Sequence, residues 1–293
     1  MKTVSSILTL LFCLVLTSVS YAAGPVLLPA WQTDSVFEQP ESVVLDEKRN
    51  ILYVSNVNGN PNDVDGNGYI SQLGLDGKVI AQQWIDGFNG PKGMAIVGDV
   101  LYVADINQLV AIDLASNKIS QRYLAKDAKF LNDVAADQAG NVYVSDMLTN
   151  TIYRLSNNTF ASWINDQQLE FPNGLLVEGD NLILGSWGVM TDGFATTIPG
   201  HLKTISISTK AITSLGDATP VGNLDGVEAD GEGNYFVTDW MVGKLLHITP
   251  AGISTTLLSL TQGSADHTVL ADQNLIIIPM MLSGNVIAYE IKK

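Results

Sequence analysis

The stretch Leu131-Asn132-Asp133-Val134-Ala135-Ala136, followed by Val142-Tyr143-Val144-Ser145-Asp146, has a polar opener, an apolar run, a turn at Ala139-Gly140-Asn141 and a second apolar run. The pattern occurs six times. The other openers are Pro40-Glu41-Ser42, Pro91-Lys92-Gly93, Pro172-Asn173-Gly174, Leu224-Asp225-Gly226 and Ala265-Asp266-His267. Each is followed by a second run of the type Leu52-Tyr53-Val54-Ser55-Asn56 or Tyr235-Phe236-Val237-Thr238-Asp239. With polar openers at 41, 92, 132, 173, 225 and 266, the successive intervals are 51, 40, 41, 52 and 41 residues. A repeat of about 40 residues built of four short strands is the signature of a propeller blade.

Each opener is preceded by a further apolar segment, such as Val79 to Trp84 or Phe160 to Ile164, and Gly24 to Phe37 supplies the first of these six. The chain ends on Gly284-Asn285-Val286-Ile287-Ala288-Tyr289-Glu290, which reads as the third strand of a unit that lacks its fourth. An N-terminal strand pairing with the last blade completes it and closes the ring, so that no sheet edge is left open there. The expected fold is an all-β, six-bladed β-propeller with four strands per blade. The two long intervals carry insertions, Val57 to Tyr69 and Trp187 to Gly200, both after the second strand of their units. That places both loops on the face where the openers lie, on opposite blades, either as lids over a channel mouth or as tolerated surface loops.

Lys2, the apolar run Ile7 to Leu16 and Ser20-Tyr21-Ala22 read as a cleaved signal peptide over 1–22, leaving a single propeller domain over 23–293 and a periplasmic or secreted location. The apolar run is too short for a membrane anchor. The one cysteine, Cys13, lies inside it, so the mature chain uses no disulfide. With 30 acidic and 15 basic side chains the protein is strongly acidic, which disfavours nucleic acid and anionic membranes as partners and leaves a small-molecule substrate as the expectation.

Inner strands of a propeller converge on its axis, so Glu41, Lys92, Asn132, Asn173, Asp225 and Asp266 are expected around one channel. Carboxylates and Asn carbonyls suit a hard divalent cation, whereas zinc recruits His or Cys. The structural alternative is that polar openers hydrate a channel or cap strand ends, and Asn or Asp before Gly also makes turns. Burial of such groups together without a counter-ion is costly, which favours the functional reading.

Glu41 behind Pro40, Asn132-Asp133 with Asp137 following, Pro172-Asn173-Gly174 and Asp225-Gly226, in that order, resemble the site motifs of the senescence marker protein / gluconolactonase / luciferin-regenerating enzyme family over essentially the whole mature chain. The resemblance implies one divalent metal in the channel, calcium first and magnesium or manganese as alternatives. It implies Glu41, Asn173 and Asp225 as ligands, Asn132 as a substrate contact or further ligand, and Asp225 as general base. The implied activity is metal-dependent hydrolysis of a lactone or related ester; a non-catalytic propeller that binds a small ligand or protein is the alternative. The chain departs from sugar-lactone hydrolases of the family in having Glu41-Ser42-Val43 in place of Glu-Gly-Pro, and Phe130 two residues before Asn132 with no arginine nearby. Metal binding therefore carries over better than substrate identity. Lys92 adds a cation to the ring, as a candidate for holding a substrate oxyanion or for neutralising Glu41.

No Gly-x-Ser-x-Gly elbow is present, and of the three histidines only His267 lies beside an opener, as a candidate acid or base. Asp63-Val64-Asp65-Gly66-Asn67-Gly68 matches the first half of a calcium loop, but its twelfth position is Gly74 where a bidentate Glu is needed, so a polar turn is expected.

Overall fold

A computed structural model describes residues 24–292; the signal peptide read over 1–22 lies outside them. Six antiparallel sheets of four strands are present, plus one two-stranded hairpin. Blade one runs Pro40–Asp46, Ile51–Asn56, Gly68–Leu73 and Val79–Phe88 from axis to rim, and the next four blades repeat this order. In the sixth, Thr268–Leu270, Leu275–Met280 and Asn285–Lys292 come from the end of the chain, and the rim strand is Val26–Gln32, paired antiparallel to the last. The N-terminal strand thus closes the ring as expected. At the axis the joint is tied again, where the Asp266 amide donates to the Glu41 carbonyl at 2.9 Å and the Ser42 hydroxyl to the Asp266 carboxylate at 2.6 Å.

The apolar alternation of the strands is resolved between blades. Tyr143, Ile152 and Trp163 of blade three pack on Leu175, Leu182 and Ile205 of blade four. At the closing joint, Val43, Leu52 and Val54 pack on Ile277, Val286 and Ala288. The inner three strands of a blade bury side chains on both faces because every sheet has a neighbour on either side, whereas rim strands such as Val26–Gln32 and Lys118–Leu124 are largely exposed.

At the mouth each of the first five inner strands carries a β-bulge in the same place, between Pro40 and Val43, Pro91 and Met94, Leu131 and Val134, Pro172 and Leu175, and Leu224 and Val227. A bulge re-aims a side chain and leaves an amide unpaired. Here it aims Glu41, Lys92, Asn132, Asn173 and Asp225 at the axis. In blades one, three and five a hydroxyl on the second strand accepts an amide within the bulge: Ser42 N to Ser55 Oγ, Asp133 N to Ser145 Oγ and Gly226 N to Thr238 Oγ1, each 2.9 Å. The acid that ends several second runs fixes the loop entering an inner strand. Asp105 Oδ1 accepts the Asn89 and Gly90 amides, and Asp146 accepts those of Lys129 and Phe130.

One part of the expected ring is corrected by this register. Pro40, Pro91, Leu131, Pro172 and Leu224 pair with the last residue of their second strands, and in blade six the equivalent bridge is Ser264 with Met280. The mouth position of blade six is therefore Ala265, not Asp266. Asp266 sits one residue deeper, level with Ser42 and Asp133, because the Ser264–Met280 bridge sets the register and the polar residue of this blade falls one step after the mouth position.

Ser145→Ala leaves the Asp133 amide buried without an acceptor and is expected to cost about 1–3 kcal/mol in urea unfolding, with Ser145→Thr keeping most of the stability. An unchanged unfolding midpoint in Ser145→Ala would show that the bulge amide has another partner.

Candidate active site at the channel mouth

The five bulge residues come together as the floor of a cavity of about 220 Å³ at the mouth. All five are buried, Asn173 to 1% exposure. Asn173 Nδ2 lies 3.3 Å from Asp225 Oδ2, which leaves the Asn173 carbonyl oxygen free to face elsewhere. That oxygen, Asn132 Oδ1 and Glu41 Oε2 are buried with no hydrogen-bond partner among the described residues. Three orphaned acceptor oxygens beside one carboxylate form a donor set suited to a hard cation. The set contains two carboxylates only; among the described residues no cluster of three or more His, Cys, Asp or Glu is placed to hold a metal, and the amide oxygens complete it. The residues fit the implied cation.

The Lys92 ammonium donates to the Gly90 carbonyl at 2.8 Å and lies 3.4 Å from that of Pro61, with the Phe130 ring centroid at 4.4 Å. A third N–H remains for the cavity. Burial lowers Lys92 to about 8, against the charges of Glu41 and Asp105 that raise it. Glu41 is held well above the usual carboxylate range by burial and then by the Asp225 charge, with Lys92 pulling the other way. Asp225 is raised likewise, by burial and the charge of Asp266, against its contact with Asn173. A positive charge at the floor relieves all of these carboxylates together.

Asp266 and His267 are outside the cavity lining. Burial lifts Asp266 to about 7, opposed by the Ser42 hydroxyl. His267 is 1% exposed, has no partner at either ring nitrogen among the described residues, and is driven down to about 3 by burial. It stays neutral across ordinary pH and is too deep to exchange protons with a ligand at the mouth. Asp133 is also below the floor, its carboxylate accepting the amides of Val134 and, across the blade joint, Leu175. The Asp63–Gly68 segment is a turn in which Asp65 accepts from the amide and side chain of Asn67.

Both insertions overhang the mouth. Pro61 of the first and Trp187 and Phe194 of the second line the cavity. The second is a hairpin, Gly188–Asp192 with Ala195–Pro199, turned at Gly193 in the left-handed region (φ 57°). Sequence reasoning missed the wall these loops create. Phe130, Met147 and Trp187 form an apolar cluster with Trp240 packed against it, and Phe194 joins through ring contacts of 5.9 Å to Phe130 and 6.0 Å to Trp187. The available signal was the placement of large apolar residues next to openers or directly after second strands, outside the alternating runs.

Among solved structures, a gluconolactonase from Xanthomonas campestris matches with a TM-score of 0.67 at 12% identity, covering 92% of this chain and 95% of that one. A streptogramin B lyase matches at 0.63 and 12% identity, over 89% of this chain and 98% of that one. A catalytically inactive virginiamycin B lyase from Staphylococcus aureus with quinupristin matches at 0.59 and 12% identity, with the same coverage of 89% and 98%. At such identities the likeness is one of fold. Comparison with curated protein sequences gave no match. The family model described as SMP-30/Gluconolactonase/LRE-like region matches residues 39–265.

Lys92 is near 8 in the folded chain against an ordinary 10.5. Between those values the unfolded chain binds more protons, so stability rises with pH across that window. Urea unfolding in chelator on either side of it is expected to show this rise in the parent and not in Lys92→Met. An equal rise in the variant would assign it to another group.

Proposed function

We propose that this chain, which belongs to the SMP-30/gluconolactonase/LRE-like family, is a lactonase-type hydrolase that opens a lactone or related ester at the channel mouth with one divalent cation, calcium before magnesium or manganese. The observation that carries the reading is the convergence of the orphaned oxygens of Glu41, Asn132 and Asn173 beside Asp225 on one cavity floor. Glu41, Asn173 and Asp225 would hold the cation, with Asn132 as a further ligand or a substrate contact. When bound, such a cation polarises a carbonyl and stabilises the charge that develops on its oxygen.

The chain's own residues divide the remaining work. Asp225 accepts a proton from the attacking water, and Asn173, donating to one Asp225 oxygen at 3.3 Å, orients the carboxylate for it. Lys92 presents its remaining N–H to the carbonyl side of the substrate, anchored by the carbonyls of Gly90 and Pro61. The overhanging loops exclude bulk water, which strengthens each of these interactions. We also propose export to the periplasm or beyond, with residues 1–22 as the leader and a small molecule as the partner.

Calorimetric titration of chelator-treated protein with calcium is expected to show one site, weakened in Asn173→Ala. In Asp225→Asn, calcium affinity falls, and turnover at saturating calcium remains about 10²-fold or more below the parent, the scale of a lost general base. Equal turnover at saturation would make Asp225 a ligand only. Failure of the parent to bind any divalent cation would remove the metal-dependent reading. Mass spectrometry of the product separates hydrolysis, which adds one water, from the eliminative opening that a lyase performs.

A further inference from the structure

The proposed chemistry occupies the floor of the cavity and leaves its wall unused. That wall is built by Phe130, Met147, Trp187, Phe194, Trp240 and Leu282. The one polar group on Trp187, its indole N–H, already donates to the Phe194 carbonyl at 2.8 Å, so the ring offers only carbon to a ligand. Trp187 and Trp240 lie 6.1 Å apart, and with Phe194 and Phe130 they make a continuous aromatic surface over blades three to five. The carboxylates, amides and ammonium of the lining lie on the floor and on blade one, and the indole N–H of Trp240 is the one such donor on the wall's rings without a partner among the described residues.

A second observation extends this surface outward. Val64, Leu148, Val189, Ile198 and Val242 are exposed large apolar side chains, all on loops that leave second strands at the mouth face, and Leu282 stands 55% exposed on the corresponding loop of blade six. Most of the other exposed large apolar residues, such as Val26, Leu28, Val79 and Ile80, are on rim strands. Exposed apolar side chains on the loops around a pocket mouth, with Leu282 also lining the pocket itself, mark a surface that meets an apolar ligand.

We propose that the site selects lactones or esters bearing an alkyl or aryl substituent, with the ester group on the polar floor and the substituent along the aromatic wall. This rests on the ester-opening reading above for the identity of the reacting group. A sugar lactone of the same ring size brings several hydroxyls to a surface whose one free indole donor, on Trp240, can serve a single oxygen, and the other hydroxyls lose their water without replacement. An alkyl chain at the same place loses nothing and leaves water.

The test compares δ-dodecalactone with glucono-δ-lactone, two six-membered lactones that differ in their substituents, on the calcium-loaded full protein. The expected kcat/KM is at least about tenfold higher for δ-dodecalactone, and Phe194→Ser or Leu282→Ser lowers that ratio by about tenfold, the scale of losing an apolar contact in a specificity pocket. Both side chains are partly exposed, at 38% and 55%, so neither change empties a core. Binding is read separately, as quenching of tryptophan emission by the δ-lactam that carries the same heptyl substituent, which has the shape of δ-dodecalactone and resists opening. Quenching by the lactam that Phe194→Ser weakens supports the inference even if no lactone is turned over, in which case the hydrolase reading alone fails. Preference for the sugar lactone, a ratio unchanged in both variants, or no quenching by the lactam overturns it.

Discussion

Crowding at the axis governs this molecule. Six inner strands approach one line, and at the third position of three of them only a hydrogen fits: a Cβ on Gly174 would come within 1.8 Å of the Asp225 carbonyl oxygen, and one on Gly93 or Gly226 would press on the backbone of Asp133 or Asp266. The bulges follow from the same constraint, since strands that meet this closely must bend away before their ends collide. Bending turns one side chain per blade into the channel and frees one amide, which Ser55, Ser145 and Thr238 receive in alternate blades. The geometry that closes the ring is thus the geometry that assembles the floor of the site.

The same crowding sets the electrostatics. Glu41, Asp133, Asp225 and Asp266 are all buried near the axis and all have raised affinities for protons, with burial as the largest cause in every case. The deeper pair is absorbed by the structure. Asp133 accepts two amides and Asp266 accepts the Ser42 hydroxyl, so they serve as joints between blades. The shallower pair differs in kind: Glu41 keeps an oxygen without a partner, as do its neighbours Asn132 and Asn173. Carboxylates that tie blades together and carboxylates that face the cavity are separated here by a single residue step along the strand.

That step also marks the limit of what the sequence discloses. The repeat, the closing N-terminal strand, the two insertions and five of six ring residues were legible, because period, apolar alternation and the bulge positions repeat in phase from blade to blade. Blade six was not, since Ala265-Asp266-His267 offers polarity at the wrong step and only pairing of Ser264 with Met280 reveals it. His267 looked available from its neighbours in sequence, yet the strand turns it into a fully buried position. The aromatic wall was hidden for another reason. Phe130, Trp187 and Trp240 belong to different blades and have no common period, and their proximity exists only once the ring is closed.

Closure also joins residues at the two ends of the chain. Thr33 and Val286, 253 residues apart, exchange hydrogen bonds through backbone and side chain in the sixth sheet. Contacts of that span form late, because the entropy of so long a loop must be overcome before they stabilise anything. The sixth blade cannot be completed until the end of the chain is available, so a propeller of this design stays open throughout its synthesis. Until then the rim edge of the last sheet is bare, and the strand Val26–Gln32, made first, is the one that waits longest for its partner.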